Sequence, residues 1–284
     1  MIEYIEEHNQ GFKILTDYYQ KHGIKPTLIH IDSHTDLSAF VMKSSFKSKL
    51  ADSLSSAEIK YLTVHAVTIS SYITAALFFK SIKNIIYISP MSKSELTKIV
   101  IRSNPINNDL IGVEAVPVPY VTANTDGTFY SAATDENIED IVSEPCVVSI
   151  DLDFFYSNDN RGEDIRCEIT KKQANALSMN ENSKIALKFG QQWNIEKCNG
   201  QYYLHLNLQS QFLHAIRNPE DVIKENSKKL YSFFKTNSDL DIQTVFICKS
   251  VKSGYVPEKL LNLILEMVHD ILGLQAFSKA KFAR

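Results

Sequence analysis

Apolar positions along this chain follow two rhythms, and their alternation lays out a succession of elements. Ile5, Phe12, Leu15 and Tyr19 fall at helical spacing, and His22-Gly23 supplies a stop, which predicts a first helix over residues 2 to about 21. Behind Pro26, Thr27-Leu28-Ile29-His30-Ile31 reads as a short strand. Ser, Lys and Asp fill positions 43 to 60, an irregular or short helical excursion, and 66 to 80 reads as a buried helix before the strand 84 to 89 and its stop at Pro90. A helix is predicted near 93 to 101, then an extended segment at 112 to 121, where Pro117 and Pro119 argue for an edge or a loop. A polar, turn-rich stretch at 122 to 132, a short helix near 135 to 142 and the strand Cys146 to Ile150 follow. Residues 156 to 168 are polar and charged, a helix begins near Thr170, and 180 to 208 has no clear rhythm, with Trp193 and Tyr202-Tyr203 packing it down. Pro219-Glu220-Asp221 opens a helix to about 235, Gln243 to Cys248 is a strand, and Pro257-Glu258 opens a last amphipathic helix to about 272.

Unalternating apolar strands separated by helices describe a mainly parallel sheet covered on both faces, a three-layer α/β/α arrangement. With 44% hydrophobic residues, nine glycines and eight prolines, residues 1–284 are expected to form one α/β domain with a substantial core. No internal repeat, low-complexity tract or linker interrupts them. The balance of 30 basic and 33 acidic residues, net charge -3, gives no electrostatic case for nucleic acid or an anionic membrane. Cys146, Cys167, Cys198 and Cys248 show no CxxC spacing and read as free thiols of a reducing compartment. The first residues lack a basic region and an apolar core, and no run of 18 apolar residues occurs, so the expectation is a soluble, cytoplasmic protein.

Two of the strands end in carboxylates at alternating positions: Ile29-His30-Ile31-Asp32-Ser33-His34-Thr35-Asp36 and Val148-Ser149-Ile150-Asp151-Leu152-Asp153. In an extended chain, alternate residues share a face, so Asp32, His34, Asp36, Asp151 and Asp153 can converge beyond the strand ends, where open α/β sheets bind ligands. Four carboxylates and an imidazole would repel one another without a cation between them. A divalent metal site, binuclear and hydrolytic, is the economical reading. Asp151 and Asp153 alone would serve equally well as helix caps or turn formers, but capping does not explain the convergence with Asp32, His34 and Asp36. On a regular strand His30 is expected to face away from Asp32 and to pack or hydrogen-bond in the core. His22, His205, His214 and His269 carry no context beyond surface or packing roles.

Asp-x-His-x-Asp after one apolar strand and Asp-x-Asp after a later one resemble the ureohydrolase superfamily of arginases, agmatinases and related deacetylases. The resemblance implies a further histidine about two dozen residues before the first aspartate, and His8 stands there. It assigns His8, Asp32, Asp36 and Asp151 to one metal, and His34, Asp153 and the shared Asp32 and Asp151 to the other. It favours two Mn2+ per chain, although zinc, cobalt or nickel suit the same donors. Glu6-Glu7-His8-Asn9, the two acidic motifs with Phe154-Phe155, and Ser250-Val251-Lys252-Ser253-Gly254-Tyr255 together look like the peptide arginases, which convert arginine side chains of a ribosomally made precursor peptide to ornithine and release urea. The chain departs from enzymes of free arginine: no Gly-Gly-Asp-His surrounds His8, and Phe154-Phe155 replaces x-x-Asp-Pro. That combination fits a larger substrate, an arginine-containing precursor peptide. In the implied chemistry Asp153 relays a proton to the leaving amine and His65 shuttles protons to solvent, with Glu163, Asp164 or Glu258 as candidates to hold the guanidinium. Residues 156 to 208 are the candidate region for peptide recognition. The competing classes are a zinc-dependent deacetylase-like amidohydrolase, a small-molecule guanidino hydrolase of the arginase or agmatinase type, and a silent binding module.

Overall fold

The computed structural model describes residues 2–90, 95–118, 128–132, 145–157, 164–178, 193–198, 200–207 and 218–279. The chain divides into two compact units, residues 1–157 with 218–284, and residues 158–217.

The larger unit starts with β1 (Ile2–Ile5), α1 (Asn9–His22), β2 (Thr27–Ile31) and β3 (Phe40–Lys43). Helices α2 (Ser56–His65) and α3 (Tyr72–Phe78) precede β4 (Asn84–Ile88), β5 (Glu95–Pro105), β6 (Leu110–Val118), β7 (Thr128–Ala132) and β8 (Cys146–Asp151). The smaller unit holds β9 (Asp164–Ile169), α4 (Lys171–Ser178), β10 (Trp193–Cys198) and β11 (Gln201–Asn207). The chain then returns to the larger unit with α5 (Pro219–Thr236), β12 (Ile242–Cys248) and α6 (Glu258–Lys279).

Nine strands form the main sheet in the order β1-β12-β8-β2-β4-β7-β5-β6-β3. From β1 to β7 the pairings are parallel, and β5, β6 and β3 add an antiparallel edge. Alternation sorts the side chains into two cores. Leu28, Ile85, Val147 and Phe246 face Phe12 and Leu15 of α1, Ile59 and Leu62 of α2, and Tyr72 and Ile73 of α3. Ile29, Ile31, Val148, Ile150 and Ile247 face Ile223, Leu230 and Phe233 of α5 and Ile264 and Val268 of α6. Helices therefore cover both faces, and the fold is a three-layer α/β/α sandwich around a mainly parallel sheet. The smaller unit is an antiparallel sheet, β10-β11-β9, accompanied by α4.

Three segments differ from the pattern reading. Residues 2–5 are an edge strand, because Ile2 to Ile5 pair in register with Val245 to Cys248, and only Asn9 starts the helix. Residues 95–105 are a strand, not a helix: Lys98 to Pro105 pair with β6 and Glu95 to Ile99 with β7, and such backbone pairing overrides local spacing. Within the turn-rich stretch, 128–132 forms β7. Pro117 sits in β6 opposite Ile99, beyond the stretch Leu110 to Val113 that β3 covers on the other side. The helix expected at 135–142 lies outside the described residues. Cys146 and Cys248 are buried free thiols. Among the described residues, no helix is long and apolar enough to cross a membrane.

Candidate metal centre

The same alternation that builds the core places the site. Leu28, His30 and Asp32 succeed one another on the face of β2 toward α1 and α3, and Val147, Ser149 and Asp151 do so on the adjacent β8. Where the strands end, the apolar residues give way to carboxylates. Asp32 leaves β2, and Asp36 follows with a left-handed backbone, φ 48°, a conformation aspartate tolerates better than most side chains. Asp151 caps a single 3-10 turn, Leu152–Phe154, by accepting from the Asp153 N–H at 2.9 Å, which places Asp153 beside it. His8 stands at the start of α1, carried there by β1.

Six predicted ligands converge. His8 Nδ1 lies 2.6 Å from Asp36 Oδ2, 3.2 Å from Asp32 Oδ2 and 3.3 Å from Asp151 Oδ2. His34 Nδ1 lies 2.9 Å from Asp153 Oδ2 and 3.5 Å from Asp32 Oδ1. Three donor sets result, each compact enough to hold one ion: His8-Asp32-Asp36 and Asp32-His34-Asp153, which share Asp32, and His8-Asp151-Cys248, which shares His8 with the first. His8 and the four aspartates are buried, whereas about a third of the His34 side chain (32%) is exposed, so the cluster opens on the His34 side. The Tyr255 ring stands 4.9 Å from that of His34 at this opening.

The electrostatics of the cluster call for a cation. Asp32 is held well below the usual carboxylate range: burial opposes its ionisation, but His30, His34 and His8 outweigh it. Burial first, then the neighbouring Asp32 charge, pushes Asp151 up to about 7. Asp153 is raised well above its ordinary value by burial and by Asp151 and Asp32. Burial pulls His8 down, yet Cys248, Asp151, Tyr72 and Asp36 together hold it well above the usual imidazole value. Protein groups alone therefore leave Asp151 and Asp153 reluctant to ionise and His8 holding its proton. Moreover, Asp32 Oδ2, Asp36 Oδ2 and Asp153 Oδ2 are buried without a hydrogen bond of acceptable geometry, an arrangement that costs free energy unless something else coordinates them. Carboxylate and imidazole donors of this kind fit a divalent ion such as manganese or zinc.

A surrounding layer orients these ligands. The His34 N–H donates to Asp32 Oδ1 at 2.7 Å, and Ser33 donates through N–H to Asp153 Oδ1 (3.3 Å) and through Oγ to the Asp153 carbonyl (3.0 Å). His30 does not face away from Asp32. Two residues apart on one strand they share a face, as the period of two requires, and His30 Nε2 lies 3.4 Å from Asp32 Oδ2 and donates to the His34 carbonyl at 3.0 Å. The Tyr72 hydroxyl bridges His30 Nδ1 (3.1 Å) and Ser149 Oγ (3.0 Å) beneath the centre. Pattern reasoning missed Tyr72, Ser149, Cys248 and Ser250. The alternation of residues 147, 149 and 151 with 246 and 248 was the signal that could have found two of them, Ser149 and Cys248.

The remaining candidates lie elsewhere. His65 is exposed at the end of α2, its ring 5.0 Å from Tyr61, and is not part of the donor cluster. Glu258 is exposed at the start of α6, Asp164 begins β9 in the smaller unit, and Glu163 lies outside the described residues. His22 stacks on Tyr18, and His269 meets the Tyr4 hydroxyl.

No protein-family model and no curated relative matches the sequence. Among solved structures, the fold is similar to the crystal structure of a hypothetical agmatinase from Burkholderia thailandensis, at 12% identity and a TM-score of 0.44. That alignment covers all of this chain but 61% of the other, so the chain spans less than two thirds of its length.

Proposed function

We propose that this protein is a metal-dependent hydrolase of the ureohydrolase type, acting on the guanidinium of arginine side chains in a peptide. The observation that carries the reading is the pair of donor sets meeting at Asp32, in the order and strand context of the ureohydrolase motifs. When bound, divalent metal supplies hydroxide at near-neutral pH and polarises the electrophile. Hydrolysis joins a water-derived oxygen to the guanidinium carbon and breaks the bond to the side-chain nitrogen, giving urea and an ornithine side chain.

The chain's own residues do the rest. Asp153, buried and with a raised proton affinity, takes up the proton of the attacking group and passes it to the departing amine. Burial of His8, Asp32, Asp36 and Asp151 keeps bulk water from the reacting centre. Asn9 Nδ2 donates to the Thr63 carbonyl at 2.9 Å, tying the end of α2 to the His8 segment. Tyr255 at the mouth offers an aromatic face to an incoming guanidinium.

The test is urea and ornithine formation from an arginine-containing peptide and from free arginine, with Mn2+ returned to metal-stripped protein. Preference for the peptide is the expected result. Turnover of free arginine alone would assign a small-molecule guanidino hydrolase, and one metal per chain with amide cleavage would assign the deacetylase-like class. Two metals with no turnover of any guanidino or amide substrate would assign a binding module.

A further inference from the structure

β12 ends at Cys248, beside Asp151 in the parallel register, and the residues just after it make an unusual set of contacts. Ser250 is buried and has φ 50°. A serine keeps this left-handed conformation only where its surroundings hold it, and such outliers cluster at functional sites. Its carbonyl accepts from the Val256 N–H at 3.0 Å and from Ser253 Oγ at 3.1 Å. Thus anchored, its hydroxyl donates to Asp151 Oδ2 at 2.6 Å, the oxygen that stands 3.3 Å from His8 Nδ1.

Asp151 is thereby gripped at both oxygens, Oδ1 by the Asp153 N–H and Oδ2 by Ser250. Its carboxylate plane is set, and each oxygen keeps a further lone pair for another partner. The same short segment also reaches the chain's other end. The Lys249 N–H donates to the Ile5 carbonyl at 3.1 Å, Lys249 Nζ pairs with Glu6 Oε1 at 2.8 Å, and Cys248 Sγ stands 3.8 Å from the Glu6 carbonyl and 3.3 Å from Ser250 Oγ. Residues 248–250 thus clip the strand carrying Asp151 to the segment carrying His8.

We propose that Ser250 is a positioning residue of the metal centre: its hydroxyl, presented by a left-handed backbone, sets the Asp151 carboxylate for the ion on the His8 side and for its neighbour. The inference rests on the metal-centre reading above. Groups that orient ligands in this way are worth about 10- to 100-fold in metal affinity.

The experiment compares the full-length wild type with Ser250→Ala and Ser250→Gly. Alanine removes the hydroxyl and keeps the left-handed backbone cost, whereas glycine removes both. Mn2+ is titrated into metal-stripped protein, with bound metal counted and exchange coupling between two ions read by electron paramagnetic resonance. Thermal unfolding of the metal-free forms runs alongside. Both variants should bind Mn2+ about 10- to 100-fold more weakly and lose the coupled signal at concentrations that saturate the wild type, although the metal-free glycine variant unfolds at or above the wild-type temperature. If alanine fails to fold, glycine carries the comparison. Wild-type affinity and coupling in the glycine variant would overturn the positioning role alone. Absence of Mn2+ binding by the wild type would overturn both this role and the metal-centre reading.

Discussion

His8 Nδ1 and Asp36 Oδ2 stand 2.6 Å apart, one at the start of α1 and the other at a left-handed turn after β2. Asp36 belongs to one donor set only, whereas Asp32 belongs to that set and to the one holding His34, and Asp151 joins His8 in a third. Asp36→Asn tolerates the same backbone but removes a charge, so it should leave about one metal equivalent bound at the His34 side. Asp32→Asn should remove most of both metals and most activity, as should Asp151→Asn. Metal content by elemental analysis distinguishes these patterns, and full metal and full activity in Asp151→Asn would falsify a two-ion centre.

Stability should depend on pH in opposite senses with and without metal. In metal-free protein Asp151, raised to about 7, and Asp153 and His8, also raised, hold their protons to higher pH folded than unfolded. Each contributes stability that is full below its unfolded pKa and is lost as pH rises through the folded one. Asp32, which is lowered, contributes above its unfolded value and loses that only as pH falls through the depressed one. Between about pH 4 and pH 7, spanning the ordinary carboxylate value and the raised Asp151 value, Asp151 and Asp153 dominate, with His8 adding to the loss only above its ordinary value of 6.5, and metal-free protein becomes less stable as pH rises. Bound metal needs those groups deprotonated, so its stabilisation grows with pH and fades on acidification. Melting curves at about pH 5 and about pH 8 with and without Mn2+ check this; a metal-free melting temperature that climbs with pH would contradict it.

His65→Ala should separate proton exchange from metal binding. His65 is exposed and outside the donor cluster, so the variant is expected to keep full metal and the wild-type fold while turnover slows by roughly 100-fold, the lower end of the range for general acid–base groups. External imidazole should restore part of the rate. Unchanged turnover would remove His65 from the mechanism without touching the metal centre.

Gly11 supports the site from below. A Cβ there would meet Tyr72 Cε2 at 2.9 Å and Phe246 Cε2 at 3.1 Å, and Tyr72 is fully buried and holds His30. Alanine in a helix interior normally gains about 1 kcal/mol over glycine, but overpacking two buried rings costs about 1–3 kcal/mol. Gly11→Ala should therefore be net destabilising and weaken metal retention through Tyr72 and His30. Chemical denaturation settles the sign, and a more stable variant would show that the rings can yield.

Much of this was legible in the sequence. Continuous apolar runs such as Leu28 to Ile31 and Val147 to Ile150 announce strands buried on two faces, and Asp32, His34, Asp36, Asp151 and Asp153 announce their convergence through the period of two and the position of strand ends. Both kinds of information are local: burial demands apolar residues, and a strand's geometry carries its side chains to known sides. The helices opened by Pro219 and Pro257 were equally local, since the residues that favour a helix start lie within its first turn.

What tertiary structure decided is what depends on partners distant in the chain. Ile2 to Ile5 became a strand because β12 offers an unpaired edge, and residues 95–105 because β6 and β7 flank them. No local pattern reports the presence of an edge. Likewise nothing local in the sequence gives Ser250 or Tyr72 its role. Those roles arise because a left-handed backbone after β12 brings one hydroxyl to Asp151 and helix α3 brings another to His30. The chain thus writes its candidate metal ligands locally and their orientation non-locally, since a donor type is a property of one residue and a hydrogen bond between distant residues is a property of two.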